Sequence, residues 1–361
     1  MEPSEIEMTR AAFASTEPLW EGLARRLEHV TVAGATANRL GSLTARSWRS
    51  AGRPVPPDLL RQERAARMAE TFAPALLAQV ASAYDGPMVV FKGPEIAARY
   101  PDAGRNFSDV DLLVPDAKAV QRALLAAGFV EVEDPEGAFS EIHHLTPLRW
   151  PTLPLHVEIH SALKWPRSLD PPDLAEIFAQ AVPAAVAPDA LRAPAPHHHA
   201  LILAAHSWAH TPLRSARDLV DVAAIADEAD AAKLDAATEA WGLSRVWPTV
   251  RAAADWLMSG TRRPLAVSLW ARHLIDLREA TVLEGHLERW LSPFWALPPL
   301  AAFSTGASML ANDLWVQEDE TVRQKLSRAA RAARHALTPK SSYGWTIDET
   351  PVVKKRSRKP R

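Results

Sequence analysis

The sequence predicts an α+β fold, with a short group of strands inside a largely helical chain. Three observations predict it. Apolar runs of strand length cluster in the middle, at residues 87–91, 110–114 and 155–159. Upstream, Ala65, Met68, Ala69, Phe72, Leu76 and Leu77 recur at helical spacing. Downstream, residues 197–337 are helical in pattern and Trp-rich, with no alternating run.

The elements follow in order. Residues 1–84 read as an N-terminal helical region with a loop at 52–57. Residues 85–182 hold the strands. The strand 87–91 ends at Lys92-Gly93-Pro94, where Gly93 allows close backbone approach and Pro94 suits a first helical position. A helix is expected from Pro94 to about Tyr100, and its N-terminus would offer free N–H groups to a phosphate. Residues 120–127 form an amphipathic helix stopped by Gly128. His143 and His144 fall in a second short strand, with His144 the one facing the cleft. The Pro-rich stretch 183–196 reads as a connector. Residues 197–337 form a helical domain, and 338–361 a basic tail expected to be disordered.

Composition narrows the classes of function. A chain of 361 residues suits two domains of ordinary size. Its net charge of −2 gives no overall field for nucleic acid or a membrane, so neither is an expected partner. With no cysteine there are no disulfides, thiolate chemistry or Cys-based zinc sites, and a cytoplasmic protein is expected. The N-terminal Met-Glu-Pro-Ser-Glu-Ile-Glu is acidic and carries no apolar run of the secretory type. No apolar run is long enough to cross a bilayer. The basic stretch 354–359 could touch an acidic partner, but no aromatic residues interleave it, and a solvated terminus explains it as well.

The chemistry concentrates at residues 105–114, Arg-Asn-Phe-Ser-Asp-Val-Asp-Leu-Leu-Val. Strand side chains alternate, so Asp109 and Asp111 face one way while Val110, Leu112 and Val114 face the other. Two carboxylates side by side repel and lose hydration. The arrangement persists when a cation lies between them. Hard oxygen ligands point to Mg²⁺ or Mn²⁺.

These residues resemble a known superfamily. Gly in a strand–helix turn, followed by alternating hydrophobic residues and Asp, resembles the signature of the DNA polymerase β-like nucleotidyltransferases. Lys92-Gly93, Tyr100, Arg105, Ser108-Asp109-Val110-Asp111-Leu112-Leu113-Val114 and Ala126-Ala127-Gly128-Phe129 resemble a poorly characterised bacterial branch. So do Leu155-His156-Val157-Glu158-Ile159-His160 and, further on, His206, His210 and Arg217-Asp218. The resemblance spans about residues 85–230. It departs at Pro94, where many members carry Ser.

The resemblance implies a small mixed sheet as the catalytic core. It implies transfer of a nucleoside monophosphate from an NTP, ATP first among them, to a hydroxyl, phosphate or similar acceptor group on a small molecule, peptide or protein. Asp109, Asp111 and Glu158 would be catalytic and would hold the metal. Lys92, Gly93, Arg105 and Ser108 would contact the nucleotide. His144, His160, His206, His210 and Asp218 are candidate substrate contacts.

Each has a plainer alternative. Alternation around Glu158 also describes a half-exposed strand with His156 and His160 on the same face. His206 and His210, four apart on one helix face, could be buried, hydrogen-bonded core residues. Arg105 could be half of a structural salt bridge. Rival functions are a non-catalytic nucleotide- or protein-binding module, a metal phosphohydrolase, and a nucleic-acid binder using the basic tail.

Overall fold

A computed structural model describes residues 17–132, 145–166, 169–186, 188, 190–314 and 321–343. The chain begins with four helices: α1 (Glu17–Leu27), α2 (Val32–Ala37), α3 (Gly41–Ser50) and α4 (Pro57–Ala83). The first strand, β1 (Val89–Val90), leads through Gly93 into a single-turn helix, α5 (Pro94–Ala97). That helix is shorter than the sequence suggests. Then come β2 (Asp109–Leu113), α6 (Ala117–Ala126), β3 (Val130–Glu131), β4 (Leu148–Arg149) and β5 (His156–His160). Asp116 caps α6 by accepting from the Ala119 N–H at 2.9 Å.

The Pro-rich stretch is more than a connector. After α7 (Leu174–Ala179), β6 (Val182–Pro183) and β7 (Arg192–Ala193) pair antiparallel, and β7 runs parallel to β1. The result is one mixed seven-stranded sheet in the order β3-β4-β5-β2-β1-β7-β6. Proline is tolerated because β6 lies at the sheet edge, where a missing N–H breaks no ladder.

The rest is helical, as expected: α8 (Pro196–His210), α9 (Ala216–Ala226), α10 (Ala231–Ala240), α11 (Val246–Ser259), α12 (Leu265–Leu269), α13 (Val282–Leu291), α14 (Pro293–Ala296), α15 (Pro299–Leu314) and α16 (Val322–Arg334). No helix among the described residues is long and apolar enough to cross a membrane.

Alternation along the strands sorts the apolar residues into two cores. Val110, Leu112, Val114, Val157 and Ile159 pack with Leu76, Leu77 and Val80 of α4 and Val120 and Leu124 of α6. On the opposite face, Val89, Phe91 and Leu113 join a larger core containing Trp20, Leu23 and Trp48 of the N-terminal helices and the apolar sides of α8, α9 and α11. Asp109 and Asp111 lie on this second face. The site therefore sits between the sheet and the helical part.

The start of the expected tail also differs. The Val282 N–H donates to the Thr338 carbonyl at 3.1 Å, and the Lys340 N–H to the Ala280 carbonyl at 3.0 Å. Ser341 donates from its hydroxyl to Glu279 at 2.8 Å. Residues 338–343 thus pack beside the start of α13 instead of belonging to a free tail. His144 lies outside the described residues, as does the basic stretch 354–359.

Candidate functional site

The site is assembled by strand register. β2 and β5 run parallel, with Asp109 opposite His156, Asp111 opposite Glu158, and Leu113 opposite His160. A parallel pair of this kind requires a crossover, here made by the residues between 114 and 155. It brings carboxylates from two distant segments onto one face.

Asp111 is the most enclosed of these groups. His160 donates from Nε2 to its Oδ1 at 3.1 Å, and the Lys92 ammonium stands 3.8 Å from the same oxygen. Burial would raise the Asp111 pKa, but Lys92 and the bond from His160 outweigh it and hold the carboxyl well below its usual range. His160 Nε2 is also 3.6 Å from Glu158 Oε2. Burial opposes charge on this imidazole, yet its two acidic neighbours lift its pKa above the ordinary value. Asp109 shows the opposite balance to Asp111. Burial first, then the charges of Asp111 and Glu158, raises its pKa.

Asp111, Glu158 and His160 offer ligand atoms that all lie within 4.8 Å of one another, close enough to share a metal ion. Two carboxylates and one imidazole suit a divalent cation, with Mn²⁺ accepting the nitrogen more readily than Mg²⁺. His160 thus stands among the potential ligands, a place the sequence does not assign to it. Its period-two spacing from Glu158 is the signal that could have placed it there.

Lys92 points into the site. It donates to His206 Nε2 at 2.7 Å. Lys164, which sequence reasoning missed, donates to His210 Nδ1 at 3.0 Å. The two imidazoles lie side by side with centroids 4.7 Å apart. Burial and the nearby cations push His206 well down and His210 down to about 3, so both are neutral. Their partners are lysines, and Asp218, the other candidate contact of the helical region, is not among them. Asp218 faces Arg217 Nε at 3.9 Å and also lies at the capped start of α9, where its N–H donates to Ser215 Oγ.

Arg105 does not face the cleft. Its guanidinium makes a bidentate pair with Asp221, with Nε and one terminal nitrogen each 2.8 Å from a carboxylate oxygen. Tyr100 donates to the same carboxylate at 2.6 Å. Arg105 is 5 % exposed and Asp221 5 %, so this is a buried strut joining the sheet region to α9. Asp221, unnamed in the sequence reading, is the carboxylate that matters there.

Gly93 shows why the turn needs glycine. Its φ is +62°, and a Cβ there would collide with the Asp109 carbonyl. The turn is buried along with all of α5, whose Glu95 accepts from the Ala185 N–H at 2.8 Å. Ser108, just before β2, is exposed. The three histidines at the start of α8 are buried ties: His199 donates from Nε2 to the Phe91 carbonyl at 2.7 Å, and His198 stacks on Trp241 at 4.5 Å.

No curated protein and no solved structure matches this chain. The model of one family does, over residues 16–258, which takes in the N-terminal helices, the whole sheet and the helices through α11. With that match over two thirds of its length and its aspartates aligned on one strand face, the chain belongs to the uncharacterised nucleotidyltransferase family.

Proposed function

We propose that the protein is a metal-dependent nucleotidyltransferase that moves a nucleoside monophosphate from an NTP, ATP first among them, to a hydroxyl-bearing acceptor and releases pyrophosphate. The observation that carries this reading is the parallel register that sets Glu158 and His160 beside Asp111, in a chain of this family.

Asp109, Asp111 and Glu158 would hold Mg²⁺ or Mn²⁺, with His160 joining them. An ion bound there supplies charge neutralisation for the phosphates and for the departing pyrophosphate. The chain's own groups do the rest. Lys92, fixed by His206, places an ammonium beside the carboxylates, where it can hold a phosphate oxygen. Ser108 can donate its hydroxyl to another. Glu158, whose side chain is 22 % exposed, is the carboxylate best placed to meet an incoming acceptor. It takes the acceptor's proton as that oxygen bonds to the α-phosphorus and the bond from this phosphorus to the bridging oxygen of the β-phosphate breaks. The helical part would cover the cleft and select the acceptor. Arg105 has no part in nucleotide contact, because its guanidinium is committed to Asp221. The absence of cysteine fits a cytoplasmic setting.

The test is pyrophosphate release from each of the four NTPs with Mg²⁺ or Mn²⁺, in the presence of a cell-extract acceptor pool. Release should require the metal. It should fall by about 10²–10⁴ in Glu158→Gln while nucleotide affinity changes little, as expected for a group that acts in the transition state. Free phosphate would indicate a phosphohydrolase. Metal-dependent nucleotide binding without turnover would indicate a non-catalytic module.

A further inference from the structure

Two lysines at the candidate site are each held by a histidine of α8. Lys92 donates to His206 Nε2 at 2.7 Å, and Lys164 to His210 Nδ1 at 3.0 Å. An ammonium carries donors only, so each imidazole nitrogen is the acceptor and each ring is neutral. The rings lie against one another with centroids 4.7 Å apart. The result is a row of four: Lys92, His206, His210, Lys164. Its Lys92 end stands 3.8 Å from Asp111 Oδ1. All four residues are half-buried, whereas Ser207 and Trp208 between the histidines are buried. A ligand can therefore reach the row.

The partners chosen for these lysines are informative. A carboxylate would cancel the ammonium's charge. A neutral imidazole takes one of its three N–H bonds, fixes its direction and leaves the charge in place. The charges that act most strongly on the two rings are cationic: Lys92 and Lys164 on both, with Arg214 and Arg39 on His210. Like charges gathered in a half-buried place repel and lose hydration. This is the imbalance of the aspartates with the opposite sign, and an anion relieves it. The anchoring histidines are four apart on one helix, about 6 Å along its axis. That offset spaces the two ammoniums for a ligand with linked phosphates.

We propose that Lys92 and Lys164, positioned by His206 and His210, form a diphosphate clamp that holds the β- and γ-phosphates of the nucleotide and then the departing pyrophosphate. The proposal rests on the nucleotidyltransferase reading and adds Lys164 and the imidazole pair to it. As the acceptor oxygen bonds to the α-phosphorus, the bond from this phosphorus to the bridging oxygen breaks, and its electron pair stays with the pyrophosphate. Charge grows on the group that the clamp holds, where two ammoniums fixed in advance stabilise it. His206 and His210 are positioning residues, because they act through the lysines.

Titration calorimetry on the full-length protein in EDTA, with inorganic pyrophosphate and orthophosphate as probes, reads the clamp without metal or nucleoside. Pyrophosphate should bind about tenfold more tightly than orthophosphate, or better, the worth of one further charge-assisted contact. Lys164→Gln should remove most of that advantage. His210→Leu should do the same, whereas His210→Asn, whose side-chain oxygen takes the place of Nδ1, should keep most of it. A merely structural histidine would not make that distinction. Melting confirms that each variant folds, and Lys164→Gln reads the clamp even if His210→Leu unfolds. Any NTP that turns over should displace the pyrophosphate. No preference for pyrophosphate, full affinity in folded Lys164→Gln, equal affinities in folded His210→Leu and His210→Asn, or failure of a turned-over NTP to compete overturns the proposal. If pyrophosphate binds as described but no NTP turns over, the clamp stands and the transferase reading fails. Turnover with the same KM for NTP in wild type and Lys164→Gln gives the reverse.

Discussion

His160 donates from Nε2 to Asp111 Oδ1 across 3.1 Å, linking the neighbouring parallel strands β5 and β2 inside the candidate site. Both side chains are nearly inaccessible, 6 % and 4 % exposed. A buried carboxylate with a charge-assisted donor and a lysine nearby is stable as an anion before any metal arrives. For Asp109, two residues earlier on the same face, burial and the acidic neighbours outweigh the charges of Lys92 and Arg105 and raise the pKa.

The two aspartates should therefore separate in stability while behaving alike in turnover. From the sequence alone, relief of like-charge repulsion suggests that neutralising either one leaves the apo protein as stable or more so. The geometry limits that expectation to Asp109. Asp109→Asn should hold or gain stability. Asp111→Asn should lose about 1–3 kcal/mol, because His160 and Lys92 lose their counter-charge. Both should abolish pyrophosphate release. Urea unfolding in EDTA, beside the NTP assay, checks both halves. Equal stability of the two variants would contradict the assigned environments.

Arg105 and Asp221 should carry stability rather than nucleotide affinity. They sit 116 residues apart in the chain and meet in a buried bidentate pair. Removing one partner strands a buried charge, at a cost of about 3–5 kcal/mol. Arg105→Met and Asp221→Leu should each show that loss in urea unfolding. The double variant should lose much less than their sum, because neither charge is then left alone. Any folded single variant should keep its nucleotide affinity. Additive losses would mean that the pair is not coupled.

These two cases show what the sequence could and could not reveal. The shared face of Asp109 and Asp111 follows from period-two alternation, as does the opposite placement of Val110 and Leu112 in the core. The pairing of Asp111 with Glu158 is a register between distant strands, and no local pattern encodes it. The partner of Arg105 was hidden for the same reason. Asp218 stood out by its place in a motif, whereas Asp221, about one helical turn later, makes the buried contact. Lys164 follows β5 in no recognisable motif, and its meeting with His210 depends on how α8 packs. β6 and β7 are two residues each and lie in a proline-rich stretch, too short for periodicity to register. A cavity of about 290 Å³ is likewise a tertiary feature, assembled from α2, α8, α13 and residues up to Lys340.

Acid should destabilise the protein early. Burial, aided by the charge of Arg99, pushes His199 down to about 3, and burial pushes His273 down to about 4. In the unfolded chain both titrate near 6.5. Their native pKa values are depressed, so the unfolded state binds more protons below pH 6.5. The stability they confer is complete above that pH and is lost as pH falls toward 4 and then 3. At pH 5.5 each contributes a loss of about 1.4 kcal/mol. His199→Gln retains a donor for the Phe91 carbonyl but cannot titrate. Its drop in unfolding free energy between pH 7.5 and 5.5 should be smaller than that of wild type by about 1 kcal/mol. The same drop in both proteins would show that His199 is not held neutral.

Truncation at the C-terminus should show a sharp boundary. Residues 338–343 are tied to the start of α13 by the Thr338 carbonyl, the Lys340 N–H and the Ser341 hydroxyl. Deleting 344–361 removes none of these bonds, so melting temperature and NTP turnover should match those of wild type. Deleting 338–361 removes all of them and leaves the Val282 N–H without its partner. At about 0.5–1.5 kcal/mol per hydrogen bond, the longer deletion should lose a few kcal/mol and melt several degrees lower. Calorimetric melting of both truncated proteins checks the boundary. Equal melting of the two would place residues 338–343 outside the folded body.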